Sequence, residues 1–383
     1  MAINLQLVGE KIGRYRKQLQ LSLDELSHST GIGMDRLAQL EAGEKEPTGD
    51  EILILADFFK CDYKFFISNE RLAAFEQTEE LYRRYGAEFT KEDRRNIQEF
   101  LFLCECEEFL INEMDQGQSR RPLRFEKKGE YFKGHGLEAA AKLRQHLKYG
   151  ANEVGMNVYD DLRQIGVHVF RRKLGNSGIS GLYIRHPKAG KCVLVNYSED
   201  IYRQRFTAAH EGGHTILDDE EDVVVSFTTW KKGDLIEIRA NTFASRYLMP
   251  PEFLRALPAP KQWDESKAVE WANRLKVNVE ALGYALRDEQ LIDAALMERL
   301  NGVRIPSEEK VDPELPSGLS QKVLGQKRQL LALGLSDYYV ALCFEAYARG
   351  IVSRGRLAEC LLLEDGELRM VAELYGRSLA YGD

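Results

Sequence analysis

The chain has no C-x-x-C motif, no long apolar run and no excess of basic residues. Its six cysteines stand at 61, 104, 106, 192, 343 and 360, none of them spaced as C-x-x-C. That pattern gives no sign of a disulfide framework. No apolar stretch approaches the ~20 residues of a membrane span. The opening Met-Ala-Ile-Asn-Leu-Gln lacks the basic region and apolar block of a signal peptide. These absences point to a cytoplasmic protein in a reducing compartment, with no membrane contact. Lys and Arg number 53 against 61 Asp and Glu, a net charge of −8, so no global basic field recruits nucleic acid. What remains is a globular composition, 44% hydrophobic and 30% charged, whose 383 residues suggest two or three domains.

The richest stretch is Phe206-Thr-Ala-Ala-His210-Glu211-Gly212-Gly213-His214. Its H-E-x-x-H places two histidines at i and i+4, on one face of a helix. Two imidazoles so placed can grip one zinc ion, with the intervening glutamate reaching the bound water. Zinc lowers that water's pKa towards ~7, so a carboxylate can take its proton as it attacks a carbonyl. The alternative is a surface helix with two solvated histidines; the apolar flanks Phe206, Ala208, Ala209, Ile216 and Leu217 argue for a packed one. A third ligand is expected at Glu237, on a helix-spaced run that Pro250-Pro251 ends. His₂Glu is a known catalytic zinc set, and Asn241, one turn beyond Glu237, is placed to orient a ligand.

These residues resemble the ImmA/IrrE family of zinc metallopeptidases over roughly 136–291. The matching phrases are Arg205-Phe-Thr-Ala-Ala-His-Glu-Gly-Gly-His, Glu237-Ile-Arg-Ala-Asn-Thr-Phe-Ala and Leu248-Met-Pro, with Ile179-Ser-Gly-Leu and Val193-Leu-Val-Asn196 upstream. The resemblance implies one zinc per chain, held by His210, His214 and Glu237, with Glu211 as general base. It also implies a protein substrate, a helix-turn-helix repressor or an antitoxin. Gly212 departs from the family pattern, which often has a bulkier residue before the glycine.

Residues 6–67 read as short helices, the second capped by Ser22. Leu23-Asp-Glu-Leu-Ser-His-Ser-Thr-Gly-Ile-Gly-Met-Asp-Arg-Leu-Ala-Gln-Leu-Glu-Ala-Gly resembles the helix-turn-helix of phage-repressor-type (XRE/Cro-C1-like) regulators. Such a fold would place Gly33, Met34, Asp35, Arg36 and Gln39 near the major groove, with Lys45 suited to phosphate. Two features count against that use. Leu23 replaces a commonly phosphate-contacting glutamine, and Val8–Phe66 holds 8 basic against 11 acidic residues, net −3. DNA and a partner protein both stay open as its target.

Between them lies a charged helical connector over 68–134, with Leu72, Phe75, Leu81 and Tyr82 at helix-like spacing. Cys104 and Cys106 are expected as buried helical residues rather than zinc ligands. Val167-His-Val-Phe, Leu182-Tyr-Ile-Arg and Cys192-Val-Leu-Val read as strands. His168 and His186 lie in or near them, as packing or surface residues, or close to a scissile carbonyl. Helices are expected over 268–286 and 291–300, then a Pro-containing linker over 303–318. An all-helical tail follows, whose Ile351-Val-Ser-Arg-Gly-Arg-Leu-Ala resembles carboxy-terminal segments of long ImmA/IrrE-type proteins.

The expected fold is mainly α with a small β-sheet. An all-α helix-turn-helix domain (6–67) and the connector (68–134) precede a zincin-like metallopeptidase domain (135–302) and a C-terminal helical region (319–383). The expected function is zinc-dependent endopeptidase, cleaving a repressor-type regulator in a stress, phage or mobile-element response. The alternatives are a transcriptional regulator that senses a ligand without turnover, and the toxin of a toxin–antitoxin pair; oligomerisation is open.

Overall fold

The computed structural model describes residues 3–69, 76–115, 117, 120–127, 129, 132–228 and 234–379. Five helices open it: α1 (Leu5–Gln18), α2 (Leu23–Thr30), α3 (Met34–Glu41), α4 (Gly49–Phe59) and α5 (Tyr63–Ile67). Reciprocal capping boxes start α2 (Ser22 with Glu25) and α4 (Thr48 with Glu51), each satisfying two otherwise orphaned N–H groups. Gly31, at φ +71°, ends α2 in a left-handed conformation that suits glycine. Leu26, Leu37, Leu55, Phe59 and Phe66 are completely buried in the core of this bundle.

In the connector, α6 (Glu76–Tyr85) carries Leu81 and Tyr82, whereas Leu72 and Phe75 lie outside the described residues. Thr90 and Asp93 form the capping box of the long α7 (Lys91–Glu113). Next come α8 (Phe132–His146), α9 (Val158–Gln164), β1 (Val167–Arg172), β2 (Ile179–His186), β3 (Gly190–Asn196), α10 (Ile201–Leu217), β4 (Val223–Phe227) and α11 (Leu235–Leu248). The sheet order is β1-β3-β2-β4, with β1 parallel to β3 and the other two pairings antiparallel.

Alternation along the strands divides the interior into two cores. Val167, Val169, Tyr183, Val193 and Val195 face α8 to α11. Phe170, Leu182, Ile184, Cys192, Leu194, Val223 and Val225 face the other way, onto α7. The short α12 (Pro251–Arg255), then α13 (Glu265–Leu275), α14 (Val279–Asp288) and α15 (Ala294–Leu300) complete the first core.

Three expectations change here. The single helix over 268–286 is two, because Lys276 turns left-handed (φ +54°). The turn aims the carbonyls of Leu275 and Lys276 at the buried Arg205 guanidinium, 2.7 and 2.9 Å away. The linker is not free. Asp312 and Glu314 pair with the fully buried Arg171 at 2.8 and 2.9 Å, and Glu314 also meets Arg163 at 2.7 Å. A buried arginine left unpaired would be strongly destabilising, so those acids fix this segment as a strap. Finally, α16 (Gln321–Ala332), α17 (Asp337–Ala348), α18 (Arg354–Cys360) and α19 (Asp365–Leu374) do not trail as a tail. They share the second core with α7 and cover the sheet's other face. No helix among the described residues is long and apolar enough to cross a membrane.

Candidate metal centre

Helix α10 runs through the interior between sheet and helices, which explains its small residues. A Cβ on Gly212 would stand 2.5 Å from Leu162 Cδ2, and one on Gly213 would stand 2.9 Å from Phe243 Cδ1. Gly212, the glycine that departs from the pattern, therefore makes room for α9. On the sheet side, a Cβ on Gly181 would lie 2.9 Å from the Leu194 carbonyl oxygen and 3.0 Å from Glu211 Oε1. Backbone and helix approach closely there because no side chain intervenes.

His210 and His214 project from one face of α10, and α11 crosses opposite them. Asp234 caps α11, putting Glu237 in its first turn and Asn241 one turn on. The Glu237 carboxylate lies 3.2 Å from His210 Nε2 and 3.4 Å from His214 Nε2. The three ligand atoms lie within 4.8 Å of one another, the one grouping of metal-ligating side chains among the described residues.

Each imidazole is fixed from behind. His214 Nδ1 donates to Asp218 Oδ2 at 2.8 Å, and His210 Nδ1 meets Asn241 Oδ1 at 3.1 Å. Asp218 is in turn paired with Arg239. With both Nδ1 atoms occupied by these acceptors, each Nε2 is left to offer a lone pair inward, where the two stand 3.1 Å apart. Two lone pairs and a carboxylate converging on one point suit a cation between them. The residues present fit a zinc ion.

Glu211 is completely buried, and neither carboxylate oxygen has a hydrogen-bond partner among the described residues. Burial raises its pKa, with the two histidines opposing. The hydroxyl of Ser226, likewise unpartnered, lies beside it. A buried carboxylate with idle acceptors is costly to maintain, and its position next to the convergent nitrogens would suit it to proton transfer.

The family model of the IrrE N-terminal-like domain, a peptidase family, matches residues 162–287. The candidate metal centre lies within this IrrE N-terminal-like match. A second model, of the helix-turn-helix, matches residues 12–66. No curated protein matches the chain. The IrrE-like match runs from α9 into α14 and includes His210, Glu211, His214, Glu237 and Asn241.

Other sequence candidates fall elsewhere. His168 points across the sheet from the IrrE-like site, 2.8 Å from Glu107 and 3.1 Å from Glu108 on α7. His186 is held by the N–H groups of Lys188 and Ala189, 3.3 and 3.1 Å from its Nδ1, and burial pushes its pKa down to about 4. Cys104 and Cys106 are buried on α7, facing the second core. Asp218 was not singled out from sequence, although its place four residues after His214 was the available signal.

In the helix-turn-helix, Gly33 precedes α3, whose Met34 and Asp35 are exposed while Gln39 is half-buried. Arg36 is pinned by Glu51 at 2.7 and 2.8 Å and by the Glu46 carbonyl at 2.8 Å. Lys45 lies exposed beyond the helix. The helix-turn-helix supports DNA binding and a regulatory role, joined here to a peptidase-like domain.

Proposed function

We propose that this chain is a cytoplasmic zinc-dependent endopeptidase joined to a DNA-binding regulator, and that it cleaves a repressor-type protein or antitoxin. The observation that carries this is the fully buried, unpartnered Glu211 beside His210, His214 and Glu237. His210, His214 and Glu237 would hold one zinc, with Asn241 and Asp218 orienting the imidazoles. Zinc bound there supplies Lewis acidity towards a water and a scissile carbonyl. Glu211 takes the water's proton and delivers it to the leaving amine; its raised pKa suits a group that must hold the proton between those steps. A sensor without turnover would need the ligands but not Glu211, so this residue favours the enzyme.

The test combines metal analysis with digestion of a helix-turn-helix regulator encoded beside this chain. About one zinc per chain is expected, lost in His210→Ala, His214→Ala or Glu237→Ala and kept in Glu211→Gln, because only the first three remove a coordinate bond. The wild type should release a discrete fragment that a chelator prevents and Glu211→Gln does not form. Stoichiometric binding without a fragment would put the sensor ahead. Full zinc occupancy in Glu237→Ala would remove that residue from the ligand set.

A further inference from the structure

The register of β2 against β4 shifts at a point that faces Glu211. The pairs run Ile184↔Val223, Tyr183↔Val224, Leu182↔Val225 and Gly181↔Ser226, then jump to Ile179↔Phe227. Ser180 is the extra residue, a β-bulge of the kind that re-aims side chains beside active sites. Along β4, Val223, Val225 and Phe227 belong to the second core, so alternation turns Val224 and Ser226 towards α10. A regular ladder continued from Ile179↔Phe227 would set Ser180 opposite Ser226 on that face. The bulge puts Gly181 there instead, with no side chain to fill the space. Glu211 fills it: its Oε1 lies 3.0 Å from where a Cβ on Gly181 would stand. Ser180 is drawn off to Glu199, to which its hydroxyl donates at 2.7 Å. Thr207, one turn before Glu211 on α10, donates to the same carboxylate at 3.2 Å, and Arg203 does so at 2.9 Å. The displaced serine is thereby pinned to the helix that carries Glu211.

We propose that Ser226 is a positioning residue for Glu211, donating its hydroxyl to the Oε1 that faces Gly181. Ser226 is 4% exposed, and its hydroxyl has no other partner among the described residues. Neither oxygen of the completely buried Glu211 has one either. An ionised carboxylate can only accept, and a serine hydroxyl is a donor on a rotatable bond. Paired, they satisfy two buried polar groups at once. The contact also fixes the rotation of the carboxylate and leaves Oε2 as the oxygen that takes and returns the proton. The bulge is what allows this, since a side chain at Gly181 would stand between donor and acceptor. The inference rests on the peptidase reading for its catalytic meaning, whereas the contact itself does not.

The test begins with the metal-free full chain, where neither zinc nor turnover is needed. Unfolding equilibria are measured for wild type, Ser226→Ala, Glu211→Leu and the double variant. Ser226→Ala should favour unfolding about tenfold beside Glu211 and less than about twofold beside leucine, because only the carboxylate needs the donor. Ser226→Thr, which keeps the hydroxyl, should stay within about twofold of wild type. The zinc-loaded chain is then given a helix-turn-helix regulator encoded beside it. There Ser226→Ala should lower kcat about tenfold with KM unchanged, and Ser226→Thr should restore it. Coupling in the metal-free chain with no cleavage by wild type would uphold the contact and sink the peptidase reading. Equal loss beside glutamate and leucine, or an unchanged kcat in Ser226→Ala, would overturn the proposal.

Discussion

At the proposed metal centre, the side chains behind the candidate ligands matter as much as the ligands do. Asp218 can only accept a hydrogen bond, so it fixes His214 with its proton on Nδ1 and Nε2 free for metal. Losing such an orienting partner typically lowers metal affinity 10–100-fold, roughly, without removing a bond to the ion. Asp218→Ala should therefore bind zinc more weakly by about that factor in a chelator competition. Asp218→Asn, which keeps the acceptor and loses the charge, should fall in between. The neighbouring Asp219 pairs with Lys191 at 3.0 Å and does not touch the histidines, so Asp219→Ala is the control. Equal affinity in folded Asp218→Ala and wild type would strip Asp218 of this role. The H-E-x-x-H spacing already put both histidines on one face, and the helix run put Glu237 and Asn241 on another. Asp218 escaped because an acid just past a helix end reads as a solvated residue until its burial is known.

Among the elements, β4 was the least legible. Val223-Val-Val-Ser-Phe is β-branched and apolar, yet too short to stand out before the Ser226 hydroxyl is seen beside Glu211. The three other strands were readable because burial on both faces gives continuous apolar runs. Those runs did not show what covered the second face. That cover includes a charged clamp in which α7 offers Glu107 and Glu108 to His168 of β1. Arg163 and Arg120 lie near the same acids. Burial opposes the imidazolium, but the two carboxylates outweigh it and raise its pKa from 6.5 to about 9. Between those values the folded protein holds a proton that the unfolded chain has released. The clamp's contribution is complete below pH 6.5 and fades as pH rises through about 9. Unfolding free energy should fall across that window by up to about 1.4 kcal/mol per pH unit from this group. Denaturant titrations of wild type and His168→Gln at several pH values check it. An equally steep decline in the variant would assign the slope to other groups.

For the whole molecule, the consequence of the layered build is that the helix-turn-helix bundle is seated rather than tethered. Lys91 of α7 reaches Glu25 at 2.7 Å, and Arg94 donates to the Gln18 carbonyl at 2.8 Å. Inside the bundle, much of the basic charge is already spent on the fold. Arg16 is bound to both oxygens of Glu41 at 2.6 and 2.8 Å, Arg36 to both of Glu51, and buried Lys11 to the carbonyls of Phe65 and Ser68. Phosphate contacts supply most non-specific affinity through counterion release, so a module with net charge −3 and few free cations should show a shallow salt dependence. Sequence discrimination would then rest on base-edge contacts from the amino end of α3. Arg36→Ala also removes a brace between α3 and α4, so lost binding in that variant mixes two effects. Gln39→Ala leaves the brace intact and is the cleaner probe. If α3 reads the major groove, Gln39→Ala should cost about 1–3 kcal/mol at the contacted base pair and little on unrelated DNA. Gel shifts of the full chain at two salt concentrations, with the Arg36→Ala, Gln39→Ala pair alongside, measure both quantities. Undiminished specific binding in the pair would show that α3 is not the reader, and would leave its exposed Met34 and Asp35 as a surface for a partner protein.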